Sequence, residues 1–161
     1  MRIKFFIAAL LVFFAACTNK TETQSANTKK LTNMENQDKS AIEKTLTAYF
    51  GSLNASDVKT VVGSYTTDGV FMPAKFPTAT GTRQLITAYE NVFSAIQLHV
   101  TVTIEEVIVR DDIAFARTLS TGTTRIHATG ETVPEENREF FLLRKEKNEW
   151  KIARYMFNQP K

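Results

Sequence analysis

The sequence predicts an α+β domain in which three N-terminal helices pack on one face of a curved, mostly antiparallel sheet. Apolar residues recur at helical spacing up to about residue 96, and from there they alternate with polar residues every second position. Turn signals at Asp111-Asp112 and Lys147-Asn148 divide the second half into strands. A run of helices followed by a run of strands is typical of this fold class.

The N-terminal residues 1–16 have the pattern of a secretory signal peptide. Arg2 and Lys4 precede an apolar run that is too short to cross a hydrocarbon core of about 30 Å as a helix. Residues 17–36 are polar and predict a flexible tether, because they hold too few apolar side chains to offset the entropy of ordering. The predicted folded domain covers residues 37–161.

The only cysteine, Cys17, directly follows two small residues, Ala15 and Ala16. This pattern resembles the lipobox of bacterial lipoproteins, which implies cleavage before Cys17 and lipid attachment to it. The domain is then anchored to a membrane of the bacterial cell envelope, facing the periplasm or the cell exterior. The alternative is an ordinary secreted protein in which this cysteine has no such role.

Composition limits the function classes. With a single cysteine, disulfides within the chain cannot stabilise the domain, which must therefore rely on its apolar core. The 20 Lys and Arg residues barely exceed the 17 Asp and Glu residues, and two of these cations belong to the predicted signal peptide. No basic stripe with interleaved aromatic residues is present, so we expect no nucleic-acid partner.

Three helices are predicted in the first half of the domain. The first covers residues 37–53, and its apolar positions have helical spacing: Ile42, Leu46, Tyr49, Phe50 and Leu53. The second begins after Ser56, which we expect to be its N-cap, with Asp57 in the first turn. The third covers residues 82–96, with five apolar residues expected to face inward: Leu85, Ile86, Tyr89, Phe93 and Ile96.

The segment "SYTTDGVFMPAKFPTATG" joins the second and third helices. We expect a turn at Asp68-Gly69, a short strand over residues 70–72, and a loop that Pro73 and Pro77 stiffen. Later strands are predicted over 99–110, with a β-bulge at Glu105-Glu106, and then over 113–128, 138–146 and 149–158. Residues 129–137 are expected to be a loop.

Four motifs carry a family resemblance: "YTTDGVFMPAKFPTATG", "IAFARTLSTGT", "EENREFF" and "EWKIARYMFN". In this order they resemble the nuclear transport factor 2-like superfamily, which includes SnoaL-like cyclases and ketosteroid isomerase. They are most similar to its SgcJ/EcaC-like branch. The resemblance covers residues 37–158 and implies a cone-shaped fold, but it implies no particular reaction.

Comparison with the ketosteroid isomerase pattern implies that its catalytic residues are mostly missing. Tyr49 and Asp57 reproduce the spacing of a tyrosine oxyanion donor and the acid eight residues after it. The family's base, an Asp directly before a proline, corresponds to Met72, and a thioether cannot accept a proton from carbon. The family's second oxyanion-stabilising group is a protonated Asp on a late strand, and its position corresponds to Phe140 or Phe141 in this chain.

Aromatic and apolar residues near the expected mouth of the cone are candidates for ligand contact: Met72, Phe76, Tyr89 and Phe93. Tyr49 of the first helix is a further candidate. The alternative is that they are plain core. Asp68 is expected to be a turn residue, and the functional alternative is a general base. His99 is either a cavity donor or base, or a strand-end residue at the surface.

Arg117, Glu139 and Arg154 are predicted to form a cross-strand charge ladder if the strands pair in sequence order. Inside the cone such a ladder would fix a carboxylate or another anionic group of a ligand. On the solvent-facing or dimer-facing side of the sheet, such a ladder would contribute little to the stability of the fold. The sequence does not decide which face of the sheet carries these residues.

Three functional hypotheses follow. The first is a binding module whose cone takes a small, largely apolar ligand with a polar or anionic end. The second is a cofactor-free acid/base enzyme, a cyclase, isomerase or hydrolase, in which Tyr49, Asp68, His99 and Glu139 supply the chemistry. The third is a homodimer built through the sheet. No metal or cofactor is expected, since His99 and His127 have no ligand-spaced Glu or Cys.

Overall fold

The computed structural model describes residues 19–160, so the predicted signal peptide and the predicted lipidation site Cys17 lie outside the described residues. The described residues divide into two units, one up to Met34 and one from Glu35 onward. The described part of the first unit is helical, and helix α1 is assigned to Asn19–Asn54. It therefore begins earlier than predicted, because a nucleated helix gains one hydrogen bond per added residue and needs no apolar stripe to continue.

The elements after α1 are two further helices and six strands. In chain order they are α2 (Val58–Gly63), β1 (Tyr65–Met72), β2 (Ala79–Thr80), α3 (Gly81–Ala95), β3 (Ile96–Arg110), β4 (Ile113–Ile126), β5 (Thr132–Glu146) and β6 (Glu149–Asn158). The strands form one sheet in the order β2-β1-β6-β5-β4-β3. Neighbouring strands are antiparallel except β1 and β6, which are parallel. This is the predicted α+β architecture.

The core lies between the helices and the inner face of the sheet, the face that carries the buried strand residues. The apolar stripe predicted for α1 is fully or almost fully buried, and Leu85, Tyr89 and Phe93 of α3 are buried as well. Ile86 of α3 is exposed, contrary to expectation, because it lies one position off the buried stripe. Buried aromatic and aliphatic side chains of β5 and β6 complete the core.

Helix α2 is capped one residue later than predicted. Asp57, not Ser56, is its N-cap, and the Asp57 carboxylate accepts hydrogen bonds from the backbone N–H of Thr60 at 3.0 Å and the Thr60 hydroxyl at 2.6 Å. Ser56 has a positive φ of 54°. The bonds from Thr60 lower the pKa of Asp57.

Strand β1 is longer than predicted and contains the segment expected to be a turn. Asp68 and Gly69 lie within β1, where the register against β6 shifts between Tyr65 and Val70. A Cβ atom added to Gly69 would lie 2.8 Å from the Tyr65 Cβ atom, which is closer than real contacts permit. Glycine at this position therefore accommodates a strand irregularity and not a turn.

Strand β5 also begins earlier than predicted, at Thr132, so that the expected loop over 129–137 is mostly strand. Residues 132–137 pair with β4 on one side only, because β6 ends at Asn158 opposite Arg138. Pro134 is tolerated on that free edge, where no partner strand needs its missing N–H group. This extension brings two more polar residues, Glu135 and Asn137, onto the inner face.

Two local predictions are confirmed. The register between β3 and β4 shifts between Ile104 and Glu106, as the phase change in the sequence predicted. Lys147 and Asn148 both have positive φ, 50° and 66°, as a two-residue hairpin turn requires.

Candidate functional site

A cavity of about 150 Å³ lies between α1, α3 and the inner face of the sheet. One part of its wall is aromatic and aliphatic, and the other carries polar groups. The aromatic part is Tyr49, Phe50, Phe71, Phe76, Tyr89, Tyr155 and Phe157. The polar part is Ser120, Glu135, Asn137 and Glu139. An apolar pocket with a few converging polar groups is the usual form of a small-molecule site.

Three tyrosines from different elements form a hydrogen-bonded chain in the core. The Tyr89 hydroxyl of α3 lies 2.7 Å from the Tyr49 hydroxyl of α1 and 2.6 Å from the Tyr65 hydroxyl of β1. Burial raises the pKa of all three, so they remain protonated at neutral pH. Two hydrogen bonds use two of the three hydroxyl protons, which leaves one proton for another acceptor.

An aromatic stack connects this chain to the sheet. The ring of Tyr155 is stacked on Phe141 at 4.4 Å and on Phe71 at 5.3 Å, and Phe71 is stacked on Tyr89 at 5.0 Å. The charge of Glu139 contributes to a raised pKa at Tyr155, after the larger effect of burial. The stack therefore extends from the tyrosine chain to the acidic part of the wall.

Glu139 is a buried carboxyl group whose hydrogen-bond partners are hydroxyls. Its side chain is 2 % exposed, and it accepts hydrogen bonds from the Thr118 hydroxyl at 2.5 Å and from the Ser120 hydroxyl. Burial raises the pKa of Glu139, the two hydroxyls oppose this, and the charges of Glu105 and Glu135 add to it. Such a carboxyl is suited to holding and transferring a proton.

Beside it, Glu135 and Asn137 form a second polar pair. Glu135 accepts hydrogen bonds from the Thr124 hydroxyl at 2.8 Å and from the Asn137 side-chain amide nitrogen at 2.7 Å. The Asn137 side-chain oxygen is buried and has no hydrogen-bond partner. Glu135, Asn137 and Glu139 follow one another at alternate positions of β5, so all three lie on its inner face.

An apolar groove of about 650 Å³ adjoins the cavity. It runs between α3 and the proline-containing loop of residues 73–78. The groove and the cavity share five wall residues: Phe71, Pro73, Phe76, Val92 and Ile96. Phe76 is 75 % exposed and stands where the two meet.

Four of the sequence-predicted residues line the cavity: Tyr49, Phe76, Tyr89 and Glu139. Phe93 is buried and packs on Tyr89 at 5.9 Å between ring centroids, but it does not line the cavity. It is therefore a core residue, which was the alternative reading of its position.

Met72 and His99 do not line the cavity. Successive side chains of a strand point to opposite faces, so Phe71 is inward and Met72 is not. His99 is exposed on β3 between two cavity residues, Leu98 and Val100. Neither side chain therefore belongs to the cavity wall, which for His99 agrees with the surface alternative.

Asp68 has a structural role on the surface. The Arg144 guanidinium lies 2.6 Å from its carboxylate and the Arg154 guanidinium 3.8 Å from it. The hydrogen bond from Arg144 lowers the pKa of Asp68, which is the opposite of what a general base in a pocket requires. The functional alternative for Asp68 is therefore not supported by its surroundings.

The predicted ladder of Arg117, Glu139 and Arg154 does not form. Arg117 lies opposite Phe140 and is paired with Glu105 at 2.7 Å on the outer face, whereas Glu139 lies opposite Thr118 on the inner face. Arg154 is paired with Asp68 instead, because the register between β5 and β6 shifts between Leu142 and Leu143. A one-residue offset places a side chain on the other face of a sheet.

Sequence reasoning missed Ser120, Glu135 and Asn137. The signal was present in "EENREFF", whose alternate positions carry Glu135, Asn137, Glu139 and Phe141. It was hidden by the expectation that residues up to 137 form a loop.

In the part of the chain that the structure describes, no group of three or more His, Cys, Asp or Glu side chains is placed to hold a metal ion. No helix there combines the length and apolar character needed to cross a bilayer.

The SnoaL-like domain family matches residues 46–155. Among solved structures, a ketosteroid isomerase-like protein from Erwinia carotovora atroseptica is 35% identical, with a TM-score of 0.72, and the alignment covers 75% of this chain and 96% of that one. An ntf2-like protein with a cystatin-like fold from Novosphingobium aromaticivorans is 16% identical, with a TM-score of 0.62, over 88% and 90%. No curated protein matches the chain significantly.

A provisionally assigned scytalone dehydratase, also from Novosphingobium aromaticivorans, is 17% identical, with a TM-score of 0.69, over 81% of this chain and 89% of that one. At this identity the likeness concerns the fold alone.

Proposed function

The chain belongs to the SnoaL-like domain family, and we propose that its cone binds a small, largely apolar molecule. The observation that carries this proposal is the cavity, whose aromatic wall ends in the polar groups of β5 and whose mouth opens into an apolar groove. The anionic ligand end considered from the sequence has no support, since Arg117 and Arg154 are paired with acids outside the cavity.

Indole tests the binding proposal as a small neutral probe. We expect indole to raise the melting temperature of the protein by several degrees near saturation, since a ligand that binds only the folded state stabilises it. Val92→Trp, which fills the junction of groove and cavity, should abolish the shift. Ile113→Trp on the exposed end of β4 is the matched control and should keep it. An equal shift in both variants would contradict binding in the cone.

A second candidate, a cofactor-free acid/base enzyme, is favoured by the raised pKa of Glu139. In such a reaction the Glu139 carboxylate takes a proton from a carbon next to a carbonyl group. The electron pair of that C–H bond moves to the carbonyl oxygen, and a protonated tyrosine of the cavity wall stabilises the oxygen by hydrogen bonding. Similar folds include proteins named for an isomerase and for a dehydratase.

Cyclohexanone in D₂O tests this candidate, because exchange of its α-hydrogens for deuterium reports deprotonation at carbon directly by NMR. We expect the protein to accelerate exchange, Glu139→Gln to remove the acceleration, and Glu43→Gln on the exposed face of α1 to leave it unchanged. Equal exchange with and without protein would rule out this chemistry for simple ketones.

We also propose that the protein is exported and anchored to the cell envelope by a lipid on Cys17. The support is the arrangement of a short apolar run and two alanines before the cysteine. Feeding bacteria with an alkyne-labelled fatty acid should label the wild-type protein and leave Cys17→Ser unlabelled. Equal labelling of both would show that Cys17 is not the attachment site.

A homodimer through the outer face of the sheet is the remaining proposal on partners. Phe115 and Phe140 stack there at 5.8 Å, and Phe140 and Met156 are 42 % and 45 % exposed. Exposed neighbouring apolar side chains on a sheet face are typical of protein interfaces.

A further inference from the structure

We infer that the ligand of this cavity carries a protonated amine, which is held by Glu139, Glu135 and Asn137. This inference rests on the proposed ligand-binding function and adds the chemistry of the ligand's polar end. It depends on three observations: the imbalance of acceptors and donors, an unpartnered buried oxygen, and the aromatic surroundings.

The first observation is that the polar wall offers acceptors without a cation. No Lys, Arg or His is among the described residues that line the cavity, although two carboxyl groups are. The hydroxyl protons of Ser120 and Thr124 are already donated to Glu139 and Glu135. Glu139 receives two donors, and Glu135 receives three, of which the Gln159 side-chain nitrogen at 3.5 Å is the most distant. A carboxylate has about four lone pairs, so acceptor capacity remains free on both.

The second observation is the side-chain oxygen of Asn137. The residue is 9 % exposed, its amide nitrogen donates to Glu135, and its oxygen has no partner. Leaving a buried acceptor unsatisfied costs on the order of 1–3 kcal/mol. A donor from a ligand removes this cost, and an ammonium group has three N–H donors for the three acceptor residues.

The third observation is the aromatic part of the same cavity wall. Phe71, Tyr155 and Phe157 stack on one another at 5.3 and 5.9 Å and line the same cavity. The faces of aromatic rings attract cations, most strongly where water is excluded. Burial and neighbouring acids disfavour the charge on Glu139, and a bound cation compensates that charge.

The dimensions of the cavity and of the adjoining groove indicate the shape of this amine. A volume of about 150 Å³ accommodates only the ammonium end and its nearest carbons, whereas the adjoining groove offers about 650 Å³ between α3 and residues 73–78. The ligand is therefore an elongated primary amine with its charged end at Glu139 and an apolar body that passes Phe76. Arylalkylamines are the simplest compounds of this kind.

Other polar ends fit less well. A carboxylate would meet Glu135 and Glu139 in a region of low dielectric without a cation to offset the repulsion. A neutral hydroxyl has one donor, which satisfies Asn137 or one carboxylate but leaves the acidic pair uncompensated.

Three compounds of matched length test the inference: 3-phenylpropan-1-amine, 3-phenylpropan-1-ol and 3-phenylpropanoic acid. Their dissociation constants for the full-length protein at pH 7 are measured by isothermal titration calorimetry. We expect the amine to bind about tenfold more tightly than the alcohol or better, as charge-assisted hydrogen bonds are stronger than neutral ones. The acid should bind most weakly.

Isosteric variants locate the amine. Glu139→Gln and Glu135→Gln should each weaken binding of the amine by about tenfold and change that of the alcohol by less than about threefold. Glu43→Gln, on the exposed face of α1, is the control and should change the binding of neither the amine nor the alcohol. Circular dichroism of each variant verifies that it is folded.

The outcomes separate this inference from the function on which it rests. If the alcohol or the acid binds as tightly as the amine, or if the Gln variants bind all three compounds alike, the inference is wrong while binding in the cone stands. If none of the three binds but indole does, the inference is also overturned. Failure of indole together with all three compounds overturns the proposed function itself.

Discussion

Glu139 differs from most buried carboxylates because two hydroxyls, and not a cation, surround it. Hydroxyl donors offset part of the desolvation of the charged form, but they supply no positive charge. Burial therefore dominates and raises the pKa of this group. This imbalance makes Glu139 the residue of the cavity with the clearest chemical capacity.

The pH dependence of stability should reveal this group. With a raised pKa, the folded state holds the Glu139 proton more tightly than the unfolded chain, so its contribution to stability is complete below the ordinary pKa of 4.5 and is lost as pH rises through the raised value. We expect Glu139→Gln to be more stable than wild type at pH 7 by about 1 kcal/mol and to lose that advantage at pH 4. Urea unfolding at several pH values measures this, and parallel curves would refute it.

Asp68 provides a control of opposite sign. Its pKa is lowered by Arg144, so its contribution is present above the ordinary pKa of 3.8 and is lost as pH falls through the lowered value. Because the pair is about half exposed, Asp68→Asn should cost at most about 0.5 kcal/mol at pH 7. Indole should raise the melting temperature of Asp68→Asn by as much as it raises that of the wild type.

At the level of elements, β1 depends on a glycine in its irregular segment. A Cβ atom at Gly69 would lie 2.8 Å from Tyr65 Cβ and 2.9 Å from the Thr66 carbonyl oxygen. Gly69→Ala should therefore destabilise the protein by about 2 kcal/mol, since one of the two neighbours must shift. The free energy of unfolding in urea measures this cost.

Gly63, the last residue of α2, is the matched control for that substitution. No atom lies within 4 Å of a Cβ added there, and alanine favours helix. Gly63→Ala should be neutral or stabilising by up to about 1 kcal/mol. A loss of stability at Gly63 equal to that at Gly69 would show that the close approach to Tyr65 is not the cause.

The tyrosine chain connects α1, α3 and β1, and its middle member should matter most. Tyr89→Phe removes both hydrogen bonds and leaves two buried hydroxyls without this partner, so we expect a loss of about 2–3 kcal/mol. Tyr49→Phe removes one bond and should cost about half as much. Thermal unfolding compares the two variants, and an equal or reversed order would contradict the chain as described.

At the scale of the whole molecule, the two faces of the sheet have different tasks. The inner face lines the core and cavity, while the outer face carries the exposed side chains of Phe140 and Met156. If two copies associate through that face, Phe140→Glu should convert the protein to a monomer, because it buries two unpaired charges at a symmetric interface.

Analytical ultracentrifugation measures this change in mass. Ile86→Glu, at an exposed apolar position of α3 away from the sheet, is the control and should not alter the mass. A monomeric wild-type protein at micromolar concentration, or a dimer that persists in Phe140→Glu, would contradict association through the outer face.

The amino-acid sequence by itself determined the fold class, the buried stripe of α1, the bulge at residues 104–106 and the hairpin turn at Lys147-Asn148. These features depend on the local spacing of apolar residues and on turn chemistry, and both can be recognised from a few neighbouring residues. Tyr49 and Tyr89 were also found in this way, since they lie on regular helical stripes.

Only the tertiary structure decided which side chains meet in the cavity. Strand side chains alternate between the two faces of the sheet with a period of two. The register shift between β5 and β6, together with the one-residue offset of Arg117 from Glu139, is therefore enough to place the arginines outside the cavity and the Glu139 carboxyl inside it. The extent of β5, and with it Glu135 and Asn137, depended on pairing with β4. Strand register is a property of partners distant in sequence, which explains why no local pattern reveals it.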